Sequence, residues 1–498
     1  MHRFQMSRLA ALAAVILGSA MSPSMGEAQT LTSPGSGRIA IAADVFDAPP
    51  PGYLIEEHFV SGTASAYRVA AGEGSQARVV ADGQAPYRTR VVVARPIDPA
   101  RFNGTVLVEW INVTSSADAA PDWNYLHREL TRSGYAYMAV SAQRAGLEGG
   151  GISNSGLKPV KAADPQRYGS LSHPGDAYAY DIYSQAARLL RTQTADLLGL
   201  LKPARILAIG ESQSAAYMVT YVNAVDPLAK VFDGFLVHSR FRGASGLNGD
   251  FRASLDPRDA AVPIPAVKLR EDVRVPTLMF IAETDLLFVS EARRNLPNAG
   301  YLAARQPDAD RIRTWEVAGT AHADTYTLMG GLDDGRASPE VLAKAFTSIH
   351  DLFGAPLAKS INAAPQHHYV LQAALNALSA WVATGRAPPG QPRLNVEDGA
   401  EPSLALDTSG NATGGVRSPW MDAPIARHSG FGQEATGTLR LFGSTVPFDA
   451  AELARLYPNG RSEYLAKFDA ALDRAIAAGV ILSADREEIR AVATVMYP

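Results

Sequence analysis

From residue 104 onward the sequence repeats one pattern, a short apolar run followed by a longer stretch with helical spacing, and this limits the folds open to the chain more than any other feature. The runs cover 105–110, 136–140, 205–209, 234–237, 276–281 and 312–317. They do not alternate polar with apolar positions, so both faces of each run must be covered. The intervals between them are long enough to cross a sheet through a helix. Together these facts predict an α/β architecture, a mainly parallel sheet with helices on both faces. Residues 53–95 read differently, alternating apolar and polar positions between glycine-containing turns as antiparallel strands do.

Two intervals, 142–175 and 241–272, exceed a simple crossover and are rich in Gly, Ser or Pro. Long irregular segments in a compact enzyme are commonly functional, so lid insertions are expected near them. Pro- and Gly-rich stretches at 386–393 and 409–415 separate a main body, 29–385, from a C-terminal extension, 386–498. The extension is expected to pack on the body and to end in an amphipathic helix near 462–478.

Residues 1–28 read as a signal peptide. His2, Arg3 and Arg8 precede an apolar run from Leu9 to Leu17, small residues follow, and cleavage is expected after Ala28 or Ala20. The run is too short to span a bilayer and no later stretch is longer, so the mature protein is expected to be periplasmic or secreted, without a membrane span. The 498 residues include no cysteine, which removes disulfides, thiolate nucleophiles and Cys-held metals. A net charge of −4 without any dense Lys or Arg stretch argues against nucleic-acid binding.

The strongest chemical signal is the run 204–209 leading into Gly210-Glu211-Ser212-Gln213-Ser214 and then a helical stretch through Val222. A strand, a turn of small residues and a helix in that order form a nucleophile elbow, which lifts the serine hydroxyl above the sheet in front of a helix N-terminus. Gly210 suits the crowded first side of such a turn. Ser214 stands where a second glycine is usual. Taken alone, a string of this kind most often marks a helix start capped by its serine, here Ser212.

Its sequel favours the chemistry. The run 276–281 leads to Glu283, Thr284 and Asp285, and the run 312–317 leads through Gly319 to His322. Serine, acid and histidine follow one another in the chain, each just beyond a strand, as in a hydrolytic triad. A neutral imidazole accepts the serine proton only if its own proton sits on the far nitrogen, and a buried carboxylate fixes that tautomer. Asp285 occupies the usual place of the acid, with Ala282 where a glycine is common; Glu283 is the alternative. His350 is expected on a helix, and His367 and His368 follow Pro365 in a helical segment. Without a His-x-x-x-His or His-Glu-x-x-His pair, neither a metal nor a cofactor is expected.

An oxyanion hole needs two N–H donors. Gln213 is expected to give one from its backbone and Asn112, in the loop after the run 105–110, the other, although any amide of that loop would serve. Glu211, His173 and Arg240 are further candidates for substrate binding; Arg240 would meet an anionic group or pair with an acid such as Asp250.

Several segments together carry a family resemblance: 104–112, 134–143, 172–185, Gly210 to Ser214, Ala282 to Asp285, Pro365 to His367, and 414–420. Over nearly the whole mature chain the sequence resembles the bacterial "alpha/beta hydrolase domain-containing protein" family. That likeness implies the α/β-hydrolase fold and Ser-His-acid catalysis, and it leaves the substrate open. It also suggests that 173–181 and 414–422 shape the pocket, unless they are Pro-Gly turns with helix-capping Asp side chains.

The expected activity is hydrolysis of a small-molecule carboxylic ester through Ser212, His322 and Asp285. An amidase, peptidase or acyltransferase using the same residues, and an inactive hydrolase fold that only binds, are the alternatives.

Overall fold

The computed structural model describes residues 29–498 except 71–77, 152–155, 252–263, 288–299, 329–336, 353, 358, 400–401 and 434–436. The expected signal peptide and parts of both expected lid insertions thus lie outside the described residues.

Nine strands form one sheet: β1 (Thr30–Thr32), β2 (Tyr53–Val69), β3 (Val79–Pro96), β4 (Thr105–Trp110), β5 (Ala136–Val140), β6 (Arg205–Glu211), β7 (Gly234–His238), β8 (Thr277–Ala282) and β9 (Ile312–Val317). Their spatial order is β1-β2-β3-β5-β4-β6-β7-β8-β9. The pairs β1–β2, β2–β3 and β3–β5 are antiparallel. All pairs from β5 across to β9 are parallel. The six apolar runs are the six parallel strands, and three of them, β6, β7 and β8, extend one or two residues further than the apolar pattern alone indicates.

Period-two alternation divides each strand between two cores. Val106, Val108 and Trp110 enter one cluster with α2 (Ala179–Thr192) and α3 (Gln213–Thr220), whereas Leu107 enters the other. That second cluster contains α1 (Pro121–Arg132), α4 (Gln366–Thr384), α5 (Arg461–Ala477) and α6 (Arg486–Met496). Because side chains of a strand point alternately to opposite faces, runs that are apolar throughout can only sit between two such layers. Trp110 is wholly buried and packs against Tyr183 and Tyr217 with ring centroids 4.6 and 5.1 Å away.

The C-terminal segment shares these cores. Trp420, Phe468 and Val492 belong to the second cluster, and Val416 pairs with Val317 as a parallel bridge along the outer edge of β9. The Val416 N–H donates to the Glu316 carbonyl (2.6 Å), and the Ala318 N–H to that of Val416 (3.1 Å). At the opposite edge the sheet ends in the three residues of β1. His350, expected on a helix, instead precedes the two-residue strand Asp351–Leu352.

One buried ionic network holds the loop after β4. The Arg90 guanidinium, on β3, lies 2.8 Å from both Glu57 and Asp118, and Arg167 reaches Glu57 at 2.7 Å. Asp118 neighbours Ala119, which exchanges backbone hydrogen bonds with Asn112, so this network anchors a loop that faces the end of β6.

Candidate active site

Ser212 stands between the last residue of β6 and the first of α3, with φ 59° and ψ −113°. A side chain at positive φ is sterically costly, and such strain persists only where the surroundings over-determine it. Here the surroundings do so. A Cβ on Gly210 would stand 3.1 Å from Cβ of Ser214, so the turn closes this tightly only with glycine two residues before Ser212. Ser214 is small enough for the same crossing, and its hydroxyl donates to the Ile111 carbonyl (3.2 Å), tying the helix to the loop after β4. The residue that departs from the usual pattern has therefore acquired a bond that glycine lacks.

Three consecutive residues after β8 form the other half of the site. The Asp285 carboxylate lies 2.6 Å from Nδ1 of His322 and accepts the Ala282 N–H with its other oxygen (2.7 Å). The hydroxyl of Thr284 accepts the His322 backbone N–H (3.2 Å) and donates to the Gly430 carbonyl (2.6 Å). Glu283 turns away from the imidazole and accepts the N–H groups of Gly319 (2.5 Å) and Gly430 (2.8 Å). Nε2 of His322 then lies 2.8 Å from the Ser212 hydroxyl, and Phe241 stacks on the imidazole with centroids 5.1 Å apart. Gly319, at φ 75°, makes this approach possible, since a Cβ there would overlap the sulfur of Met421.

A strained serine after a buried strand, an imidazole within reach of it and a carboxylate behind the imidazole have thus been brought to the C-terminal ends of β6, β8 and β9. The family model described as an alpha/beta hydrolase domain matches residues 23–491. The chain belongs to the alpha/beta hydrolase domain family. Among curated proteins none matches it. Solved structures similar to it include one of two fungal esterases from Rhizomucor miehei, at 12% identity over 69% of this chain and 88% of that one, with TM-score 0.31. A thermostable esterase from Pseudomonas putida is similar at 11% identity over 47% and 65%, with TM-score 0.25. Overlap that slight carries no argument about chemistry.

In this hydrolase a second carboxylate, absent from the expected triad, reaches the histidine. Oε1 of Glu211 is 3.1 Å from Nε2 of His322. Burial lowers the affinity of His322 for a proton, but the carboxylates of Glu211 and Asp285 outweigh it and push the imidazole up to about 10. Asn112 holds Glu211 in place. Its side-chain amide donates to the Glu211 carboxylate (3.0 Å), and its own Oδ1 is fixed by the Thr114 N–H (2.8 Å). The Asn112 backbone N–H is spent on Ala119 at 3.0 Å, so this residue acts as a holder of Glu211, not as the expected oxyanion donor. The next amide, that of Val113, points across to the elbow and donates to the side-chain oxygen of Gln213 (3.2 Å). The Gln213 backbone N–H, first in α3, has no intrahelical acceptor.

Other sequence candidates lie in supporting positions. His173 donates from Nε2 to the Ala142 carbonyl (2.8 Å) and accepts the Gly175 N–H on Nδ1 (3.1 Å), a neutral ring that burial keeps below its ordinary proton affinity. Asp181 accepts the Ser65 N–H (2.8 Å) and Gly415 packs against the Glu316 carbonyl, so the stretches 173–181 and 414–422 both act as staples. Among the described residues Arg240 pairs with no acid, Asp250 included; it donates to the carbonyls of Phe241 (2.9 Å), Arg242 (3.1 Å) and Val267 (2.6 Å) and clamps the loop after β7.

Sequence reasoning does not anticipate the buried pair behind the elbow. Nε2 of His238 faces Nε2 of His367 at 2.9 Å, and Nδ1 of His238 faces Asp122 at 2.8 Å. The His238 carbonyl accepts the Ser212 N–H (3.0 Å), so this pair backs the elbow. A charged or imidazole residue closing an otherwise apolar strand, as Glu211 and His238 do, is the signal that marks them. Among the described residues, no cluster of three or more His, Asp or Glu side chains is arranged to hold a metal, and no helix is long and apolar enough to cross a membrane.

Proposed function

We propose that this hydrolase cleaves small carboxylic esters, with Ser212 as nucleophile, His322 as general base and then general acid, and Asp285 as the group that fixes the imidazole. The observation that carries the reading is the unbroken chain from the Ser212 hydroxyl through His322 (2.8 Å) to Asp285 (2.6 Å). Neutral His322, its Nδ1 proton held by Asp285, accepts the Ser212 proton on Nε2 as Oγ bonds to the ester carbon and the carbonyl electrons move onto oxygen. The Gln213 backbone N–H faces that oxygen, and the Val113 N–H joins it once the Gln213 side chain yields its place. The Nε2 proton then passes to the leaving alkoxide, releasing an alcohol. Water repeats the sequence on the acyl-enzyme and frees the acid.

A fluorophosphonate probe should label Ser212, and Ser212→Ala should lose p-nitrophenyl ester turnover by about 10⁶-fold, the scale at which removing a triad serine acts elsewhere. Undiminished turnover in that variant would sink the assignment. Faster cleavage of matched anilides than of esters would move the substrate class to amides.

A further inference from the structure

Glu211 ends β6 immediately before Ser212 and is largely buried, and its carboxylate meets Asn112 on one oxygen and His322 on the other. The second contact has a consequence for the proton inventory. With Nδ1–H donated to Asp285, a neutral His322 presents a lone pair from Nε2, and that nitrogen, which meets the Ser212 hydroxyl at 2.8 Å, would also stand 3.1 Å from the Glu211 oxygen. Two acceptors at this separation repel each other unless a proton lies between them. Both side chains are buried, which strengthens the demand.

Resting on the ester hydrolase reading, we propose that Glu211 is a positioning residue that keeps a proton on Nε2 of His322 in the free enzyme and steadies the same imidazolium when Ser212 adds to the ester. The free form with this proton is idle, because its imidazole cannot accept from Ser212. Loss of one proton to solvent gives the active form. During acylation the Ser212 proton takes the vacant place on Nε2, the Oγ–carbon bond forms, and the Glu211 carboxylate stands beside the imidazolium until that proton leaves with the alcohol. The carboxylate thus trades activity at low pH for a more stable intermediate at high pH.

The groups packed around the imidazole fit this role. Glu211 closes β6 and Asp285 follows β8, and both favour the charged ring. His238, closing β7, and His367, on α4, lie behind it; burial holds both below their ordinary proton affinity, so neither supplies a competing positive charge at neutral pH. Asp122 faces His238 and not His322. Phe241 covers the ring face.

The test is the pH profile of kcat/KM for a p-nitrophenyl ester in the full chain, wild type against Glu211→Gln, read across about pH 5 to 11, where this parameter reports groups of the free enzyme. The wild-type rate should climb through the alkaline range. In Glu211→Gln the rising limb should move down by about one to three pH units, the usual effect of one close opposite charge, and the plateau should fall by about tenfold or more. A lower plateau with an unmoved limb would make Glu211 a merely structural residue and overturn the proposal. Should that variant not fold, 15N-histidine titration of the wild type decides: His322 should titrate in the alkaline range, and a midpoint near that of an ordinary imidazole refutes the idea. Failure of the underlying reading looks different, since Ser212 would then escape the fluorophosphonate probe.

Discussion

Glu283→Ala separates a staple from a catalytic acid, and its cost should depend on pH in a way that few core substitutions share. The wild-type carboxylate is buried and accepts two backbone N–H groups, from Gly319 and Gly430. Removing it strands both donors, at about 1–3 kcal/mol each, so about 2–6 kcal/mol in all. Against that stands a cost which the wild type alone carries. Burial raises the carboxyl from 4.5 to about 7 despite the two N–H groups. A raised acid contributes stability that is fully present below the unfolded value and is lost as pH rises through the folded one. At 1.36 kcal/mol per unit, that loss is about 3 kcal/mol between pH 4.5 and somewhat above 7. Urea unfolding of both proteins at about pH 5 and about pH 8 should therefore show a gap that narrows by about 2–3 kcal/mol at the higher pH, part of the loss having already occurred at pH 5. Other titrating groups cancel in the difference. A gap that is constant or widens with pH would refute the reasoning.

Gly319→Ala places a Cβ at φ 75° against the Met421 sulfur; it should cost about 2–4 kcal/mol by thermal unfolding and lower kcat, because the approach to His322 shifts. Arg90→Ala leaves the buried carboxylates of Glu57 and Asp118 without their shared cation; about 3–5 kcal/mol should be lost in urea unfolding, and a stability near that of wild type would show the network to be dispensable. Acid should weaken the fold through its buried imidazoles. Burial lowers His238 and His428 from 6.5 to about 4, so each contributes about 3 kcal/mol that is present above pH 6.5 and lost as pH falls through 4, and His428→Gln should flatten the pH dependence of the urea midpoint.

The parallel half of the sheet is legible because its strands are apolar on both sides, a demand that only a two-layer cover meets. The elbow is legible for a related reason: Gly210 and Ser214 are small where the chain must cross itself. Preferring Asp285 to Glu283 rests on spacing; in the structure one side chain is directed at the imidazole and the other at two backbone amides. The amide that faces the elbow lies one residue beyond Asn112, because which amide of a loop is free depends on pairings such as Asn112 with Ala119 that no local pattern reveals. Glu211, flanked by Gly210 and Ser212, gives no sign of its reach to a histidine more than a hundred residues away. The pairing of His238 with His367 is hidden likewise, since it exists only after β7 and α4 have packed.

The bridge between Val416 and β9 bears on how the protein would behave if shortened. A chain ending ahead of that bridge would still contain Ser212, Asp285 and His322, but the Glu316 carbonyl and the Ala318 amide would have nothing to bond. An open strand margin of this kind recruits another molecule in its place. Self-association would then be the first symptom of C-terminal trimming, visible by light scattering before any question of turnover arose.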